Sequence, residues 1–157
     1  MLTAEELVSQ LQLNSRIIKS RIDGLDHEDS LRQLSFPGNC LNWNLGHLLV
    51  YRHRILGMID GVSDADPAEF AIYGAGSEPM TDGSRAIPFA ELAERLDSAA
   101  AAIEAALAAM PPERLTTVID EAQGATVGSR LLFYLVYHEA YHTGQMEILR
   151  ELALASR

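Results

Sequence analysis

Basic residues are scarce in this chain, a second cysteine is missing, and long apolar runs do not occur. Lysine and arginine number 12 against 22 aspartates and glutamates in 157 residues, a formal net charge of −10. Clustered cations are what hold nucleic-acid phosphates and anionic lipid surfaces, so both are disfavoured as partners. Cys40 stands alone; it cannot form an internal disulfide, and a closed Cys-rich zinc site is excluded with it. A nucleophilic thiol needs a nearby base and an electropositive setting. Nothing in the sequence supplies these, so Cys40 reads as a small buried residue. No apolar stretch approaches the ~18 residues needed to span a bilayer. Met1 to Glu6 lacks the basic region of a secretory leader, and a reducing cytoplasm is the expected compartment.

What is present is ordinary globular material, 48 % apolar and 22 % charged, expected to form a single domain over residues 1–157 with a core of its own. Helical periodicity dominates. A first helix opens on the capping-box pattern Thr3-x-x-Glu6, carries Leu7, Leu11, Ile18, Ile22 and Leu25 on one side with Asn14 inside the stripe, and stops near Asp23-Gly24. Residues Leu34 to Asn39 read as a turn. A second helix spans Leu41 to Ile59. The stretch from Gly61 to Ile87 has no clear period and reads as a long connection, of the kind that is usually functional or mobile. Pro88 suits the first turn of a third helix, which continues to Met110 with Leu92, Leu96, Ala99, Ile103, Ala106 and Met110 on one face. Pro111-Pro112 ends it. Leu115 to Ile119 reads as an extended connector rather than a sheet strand, and Thr126 as the cap of a last helix reaching about Leu154. The expected fold is all-α: a four-helix bundle with a long connection between helices 2 and 3.

The last helix carries the most informative pattern. Its apolar stripe runs Leu131, Leu135, His138, His142, Gln145, Leu149, Leu152, so two imidazoles four residues apart interrupt a face that points into a core. Buried rings cost free energy unless something satisfies them. On the second helix His47 shares a strip with Trp43, Asn44, Tyr51, Arg54 and Met58, within about 60° of it by helical rotation. His47, His138 and His142 are therefore the candidate metal ligands. Three neutral imidazoles suit Zn²⁺, Ni²⁺, Co²⁺ or Fe²⁺, and three protein ligands leave positions open for a reactant. The competing reading makes the same histidines core residues bonded to main-chain groups. His27 and His53 are expected in solvent, and Tyr134, Tyr137 and Tyr141 in packing.

His138-Glu139-x-x-His142 also matches the zincin protease pattern, with Glu139 as base. Its extended form asks for Gly and His where Gln145 and Ile148 stand, and no sheet precedes the helix. That mismatch argues against a protease.

Pro37-Gly38, Trp43-Asn44-Leu45-Gly46-His47-Leu48 and the late His138-x-x-x-His142-x-Gly144-Gln145 together resemble the DinB-like family of four-helix metalloenzymes, over essentially the whole chain. The resemblance implies a three-histidine site on His47, His138 and His142, zinc as the metal with nickel as the alternative, and a homodimer. Its relatives include bacillithiol S-transferases and mycothiol-dependent maleylpyruvate isomerases, which activate a low-molecular-weight thiol. The isomerases carry a Glu where this chain has His138, which places it nearer the transferases. Thiol transfer to a small electrophile is the expected chemistry. Two alternatives stay open: hydrolysis by metal-activated water, and a non-enzymatic metal- or small-molecule-binding bundle. Glu139, Arg54 and Tyr51 are the candidate catalytic residues. Asn44 and Arg54 are the candidates for holding an anionic end of cofactor or substrate, under a cover from the 61–87 loop with Phe70 and Tyr73. For Arg54 the rival reading is a surface ion pair.

Overall fold

Local signals set the helix ends. In the computed structural model, which describes residues 2–36, 38–61 and 68–157 and the backbone alone of Glu69, α1 spans Ala4–Ile22. Thr3 and Glu6 cap each other's backbone reciprocally at its start. Gly24 follows at φ +71°, a left-handed turn that glycine takes without a Cβ clash. Pro37 of the expected turn and residues 62–67 of the long connection lie outside the described residues. A one-turn helix, α2 (His27–Ser30), was not legible; Asp26 and Asp29 cap it as a reciprocal pair.

The long helix α3 (Leu41–Ile59) has the expected bounds and is buried along nearly its whole first half. Beyond it the connection is ordered around a 3₁₀ turn, Glu69–Tyr73. The next long helix, α4 (Phe89–Ala109), buries Phe89, Leu92, Leu96, Ala99, Ala100, Ile103 and Leu107. The expected stripe holds from Leu92 to Met110 except at Ala106, which is half-buried beside a fully buried Leu107. After a 3₁₀ turn at Pro112–Thr116 the chain forms a small hairpin. Its strands are β1 (Val118–Asp120) and β2 (Ala125–Thr126), paired antiparallel. The connector read as strandless thus carries a short strand, because the turn between supplies it with a partner.

The final rod is one continuous helix in three pieces: α5 (Val127–Leu132), a π-helical turn (Phe133–His138) and α6 (Glu139–Ala155). Thr126 caps it as expected. The π turn was not expected, and a polar residue on α1 accounts for part of it. Asn14, only 2 % exposed within an apolar stripe, donates Nδ2–H to the Leu135 carbonyl at 2.6 Å. That carbonyl lies inside the π turn, where the i→i+4 ladder is broken and an outside donor is needed.

α1, α3, α4 and the α5–α6 rod pack into an all-α bundle, α3 lying mainly against α4 and α1 against both α4 and α6. The core has two apolar clusters. One joins Leu41–Leu49 of α3 to Tyr73, Leu92, Leu96, Met146 and Leu149. The other joins Leu7, Leu11, Ile55, Ile103, Leu131 and Leu135. Buried polar side chains lie between them: Asn14, Arg52, Glu139 and the histidines.

Candidate metal centre

His47 comes from α3, His138 closes the π turn and His142 sits one turn into α6. They are 4 %, 9 % and 6 % exposed, and one nitrogen from each ring lies within 4.8 Å of the others. His47 Nε2 and His138 Nε2 are 3.2 Å apart. Two nitrogens bound to one zinc at ~2.0–2.1 Å and a tetrahedral angle stand about 3.3 Å apart, so this pair already has the spacing that a shared ion requires.

Hydrogen bonds behind two of the rings fix their tautomers. His47 Nδ1 lies 2.7 Å from the Tyr73 carbonyl; a carbonyl only accepts, so the proton is on Nδ1 and Nε2 keeps its lone pair. His142 Nδ1 lies 3.0 Å from Asn44 Oδ1 and 2.8 Å from Gln145 Oε1. Asn44 Nδ2 donates to the Cys40 carbonyl at 3.0 Å, which orients the amide and leaves its oxygen facing the ring. His142 therefore also presents an unprotonated Nε2. Such outer hydrogen bonds are how proteins aim metal-binding imidazoles. His138 differs: its Nδ1 is buried with no hydrogen-bond partner among the described residues. That ring can be satisfied only through Nε2, which faces His47.

Burial keeps all three rings neutral. It lowers the His47 pKa below the usual range, against the raising effect of the Tyr73 carbonyl. His138 is pushed to about 3, first by burial and then by the neighbouring His142, His47 and Arg54. His142 falls to about 4 through burial and His47, with Gln145 opposing. Metal ligands must be deprotonated, and these are so throughout the neutral range. The facing Nε2 lone pairs and a donor set of three neutral imidazoles fit a divalent ion.

The surroundings explain several residues of the early motif. Trp43 stacks on His47 with centroids 4.4 Å apart and planes 16° apart. Its indole N–H donates to the Ile72 carbonyl at 2.9 Å and to Ser77 Oγ at 3.0 Å. A Cβ on Gly46 would lie 2.2 Å from Tyr73 Cδ1, so only glycine lets the 3₁₀ turn approach closely enough to reach His47. Tyr73 is fully buried, and its hydroxyl donates to Asn42 Oδ1 at 2.9 Å. Of the two aromatics expected to cover the site, Tyr73 does so through its backbone, and Phe70 packs behind it at 6.4 Å. Tyr51 faces both His47 and His138, at 4.8 and 4.1 Å between centroids.

The remaining candidates separate. Glu139 does not join the histidines: 1 % exposed, it accepts from Arg52 Nε at 2.9 Å and Nη2 at 3.1 Å. Asn44 is engaged by protein at both ends of its amide. Arg54 is exposed, its guanidinium carbon 4.6 Å from the Tyr51 ring centroid, and it makes no ion pair among the described residues. Two expectations of solvent are corrected. His53 is half-buried against Phe70, and His27 Nδ1 accepts the Phe89 N–H at 3.2 Å, capping α4. Tyr137 and Tyr141, expected in packing, are 61 % and 55 % exposed and stack on each other. Arg52 was missed although its spacing marked it, since it stands three residues from both Leu49 and Ile55 on the buried face of α3.

The family model of the DinB superfamily matches residues 10–146. Among solved structures, a conserved protein from Enterococcus faecalis superposes with a TM-score of 0.80 at 16 % identity, covering 99 % of each chain. That likeness is one of fold. No curated protein matches in sequence.

Proposed function

The chain belongs to the DinB superfamily, and from that premise we propose that it is a divalent-metal-dependent enzyme. The reading takes His47, His138 and His142 as metal ligands, with Zn²⁺ first and Ni²⁺ second. Its reaction is the transfer of a low-molecular-weight thiol to a small electrophile. The single observation that carries the reading is the convergence of three buried, neutral imidazoles, two of them tautomerically fixed to present Nε2. An ion held by three neutral ligands keeps its double charge and would hold a thiol as thiolate at neutral pH.

The protein's own groups do the positioning. The Tyr73 carbonyl, Asn44 and Gln145 aim two ligands. Trp43 walls one side of His47 and excludes water from it. Tyr51 lines the other side, within reach of a reactant beside His138. The transfer forms a C–S bond, and the displaced group leaves with the electron pair of the bond it loses. Hydrolysis is the weaker reading because Glu139, the carboxylate it would need as base, is held by Arg52. A homodimer in the cytoplasm completes the proposal.

The test is metal analysis of tag-free protein together with thiol conjugation to monochlorobimane, comparing bacillithiol, mycothiol and glutathione. One ion per chain, lost in His138→Ala, and a rate above background with one thiol are expected. A bound ion with no thiol rate would leave the site and remove the transferase. No ion, unchanged by His138→Ala, would make the histidines structural.

A further inference from the structure

Among the described residues, those around the three histidines do not share the acidity of the chain as a whole. The protein has a formal net charge of −10, yet the rings are neutral, and Glu139, the carboxylate that follows His138 in the sequence, is neutralised by Arg52 at 2.9 Å. An ion bound to the rings would leave this region strongly positive. Arg54 adds to it. It is exposed, and without a carboxylate partner among the described residues. It lies one ring's width from the cluster, its guanidinium 4.6 Å from the Tyr51 centroid and that ring 4.1 Å from His138. Tyr134 packs 5.1 Å from Tyr51. A cation and two half-buried aromatic rings therefore lie together at the solvent edge of the site.

Resting on the metal reading above, we propose that Arg54 is the specificity residue of this site and that its substrate is a small carboxylate with an apolar or aromatic body. Arg54 takes the carboxylate through its planar fork, in two parallel charge-assisted hydrogen bonds. The body lies against Tyr51 and Tyr134, with its reactive end toward the histidines. Stacking on Tyr51 limits the conformations Arg54 has to give up, so less side-chain entropy is lost when the anion arrives. The acidic exterior repels anions at long range, so selection acts at contact and favours a small ligand over a polyanion. A neutral isostere keeps the apolar contact and forfeits the fork.

The test uses tag-free protein loaded with cobalt(II), titrated calorimetrically with phenylacetate and with its neutral isostere phenylacetamide, in wild type, Arg54→Gln and Arg54→Lys. Cobalt, read from its visible absorption, should bind one ion per chain in all three proteins, because Arg54 is not a ligand, and at least as tightly in Arg54→Gln, which loses a nearby positive charge. Wild type should bind the acid at least about tenfold more tightly than the amide, the size of one charge-assisted bond. Arg54→Gln should bring the two within about twofold, and Arg54→Lys should keep part of the preference. A preference undiminished in Arg54→Gln would assign selection to the ion and overturn the proposal. Equal affinity of wild type for the two probes, or binding of neither, would overturn it while the metal reading stood. Failure of wild type to bind cobalt would overturn the metal reading and this proposal with it.

Discussion

Arg52→Met should be among the most damaging single substitutions in the protein, although Arg52 touches no imidazole. Arg52 is 0 % and Glu139 1 % exposed. Besides its two bonds to that carboxylate, Arg52 donates to the Leu96 carbonyl at 3.0 Å and to Ser15 Oγ at 3.3 Å. Methionine fills most of the volume and leaves the carboxylate uncompensated in a dry layer, a loss of about 3–5 kcal/mol. Total stability for a domain is about 5–15 kcal/mol. For a chain of this length each kcal/mol moves the midpoint by roughly 2–4 °C, so Tm should fall by roughly 6–20 °C. Glu139→Leu alone should cost a similar amount, for it strands the guanidinium. The double variant Arg52→Met/Glu139→Leu removes both charges and should lose much less than the two singles added, since apolar replacements of whole buried pairs are often close to neutral. Urea denaturation followed by circular dichroism, with EDTA present to remove ion binding, measures all three. An Arg52→Met variant within about 1 kcal/mol of wild type, or a double variant showing the full sum of the singles, would refute the view of this pair as a desolvated, coupled unit.

Other consequences can be checked in the same format. Zinc at about a hundredfold excess over its Kd should add about 2.7 kcal/mol to wild type and nothing to His138→Ala, read as the shift of the thermal midpoint. Gly46→Ala should cost at least about 1–3 kcal/mol and weaken ion binding together with stability. The new Cβ must displace Tyr73 and with it the carbonyl that aims His47, and calorimetric zinc titration reads the second effect. Asn14→Leu should cost about 1–3 kcal/mol by stranding the Leu135 carbonyl, seen in the urea midpoint. The pH dependence of the ion-free protein follows from the histidines. Their folded pKa values, about 3 for His138 and about 4 for His142, lie below the ~6.5 of an unfolded imidazole. The unfolded chain then binds more protons as pH falls. Stability is full above about pH 6.5 and declines from there toward pH 4, and urea midpoints at pH 7.5, 6 and 5 should fall in that order. A flat or rising series would contradict the burial of these rings.

The sequence made the helices and the histidine cluster readable because both rest on local regularities. Thr3 with Glu6, Gly24, Pro88 and Thr126 mark ends through their own side chains or their own lack of one. His47 and the His138/His142 pair stand out as polar interruptions of apolar faces. Partners from distant chain segments left no such mark. Nothing near His47 announces the Tyr73 carbonyl 26 residues away, nor does Asp120 announce the strand pairing that depends on Ala125 across a turn. Arg52 was readable in principle, as a cation at a core position of α3. Periodicity flags such a residue as buried but does not say that a carboxylate 87 residues later neutralises it. Asn14 is the same case with a carbonyl as the partner.

The π turn connects these misses. In a regular α-helix consecutive residues diverge by about 100°, so His138 and Glu139 reach different partners, the imidazoles and Arg52. Read with an α period, the stripe continues from His142 to Gln145 and Leu152. The observed core keeps His142 and Leu149 of that stripe and takes Met146 and Ala153 beside them, while Gln145 and Leu152 are only half-buried. Beyond the turn from Phe133 to His138 the buried face is thus broader than the stripe, with Glu139 and Thr143 added to it. His138 lies on the stripe and closes the imidazole cluster. Glu139 lies on the added edge and reaches Arg52. Restoring α geometry by deleting one residue of the turn, for example the exposed Val136, should force a choice between the two. Ion binding and stability should then fall together, by more than Asn14→Leu alone produces. Retention of full zinc affinity in that deletion would mean the site does not depend on the π geometry of the turn.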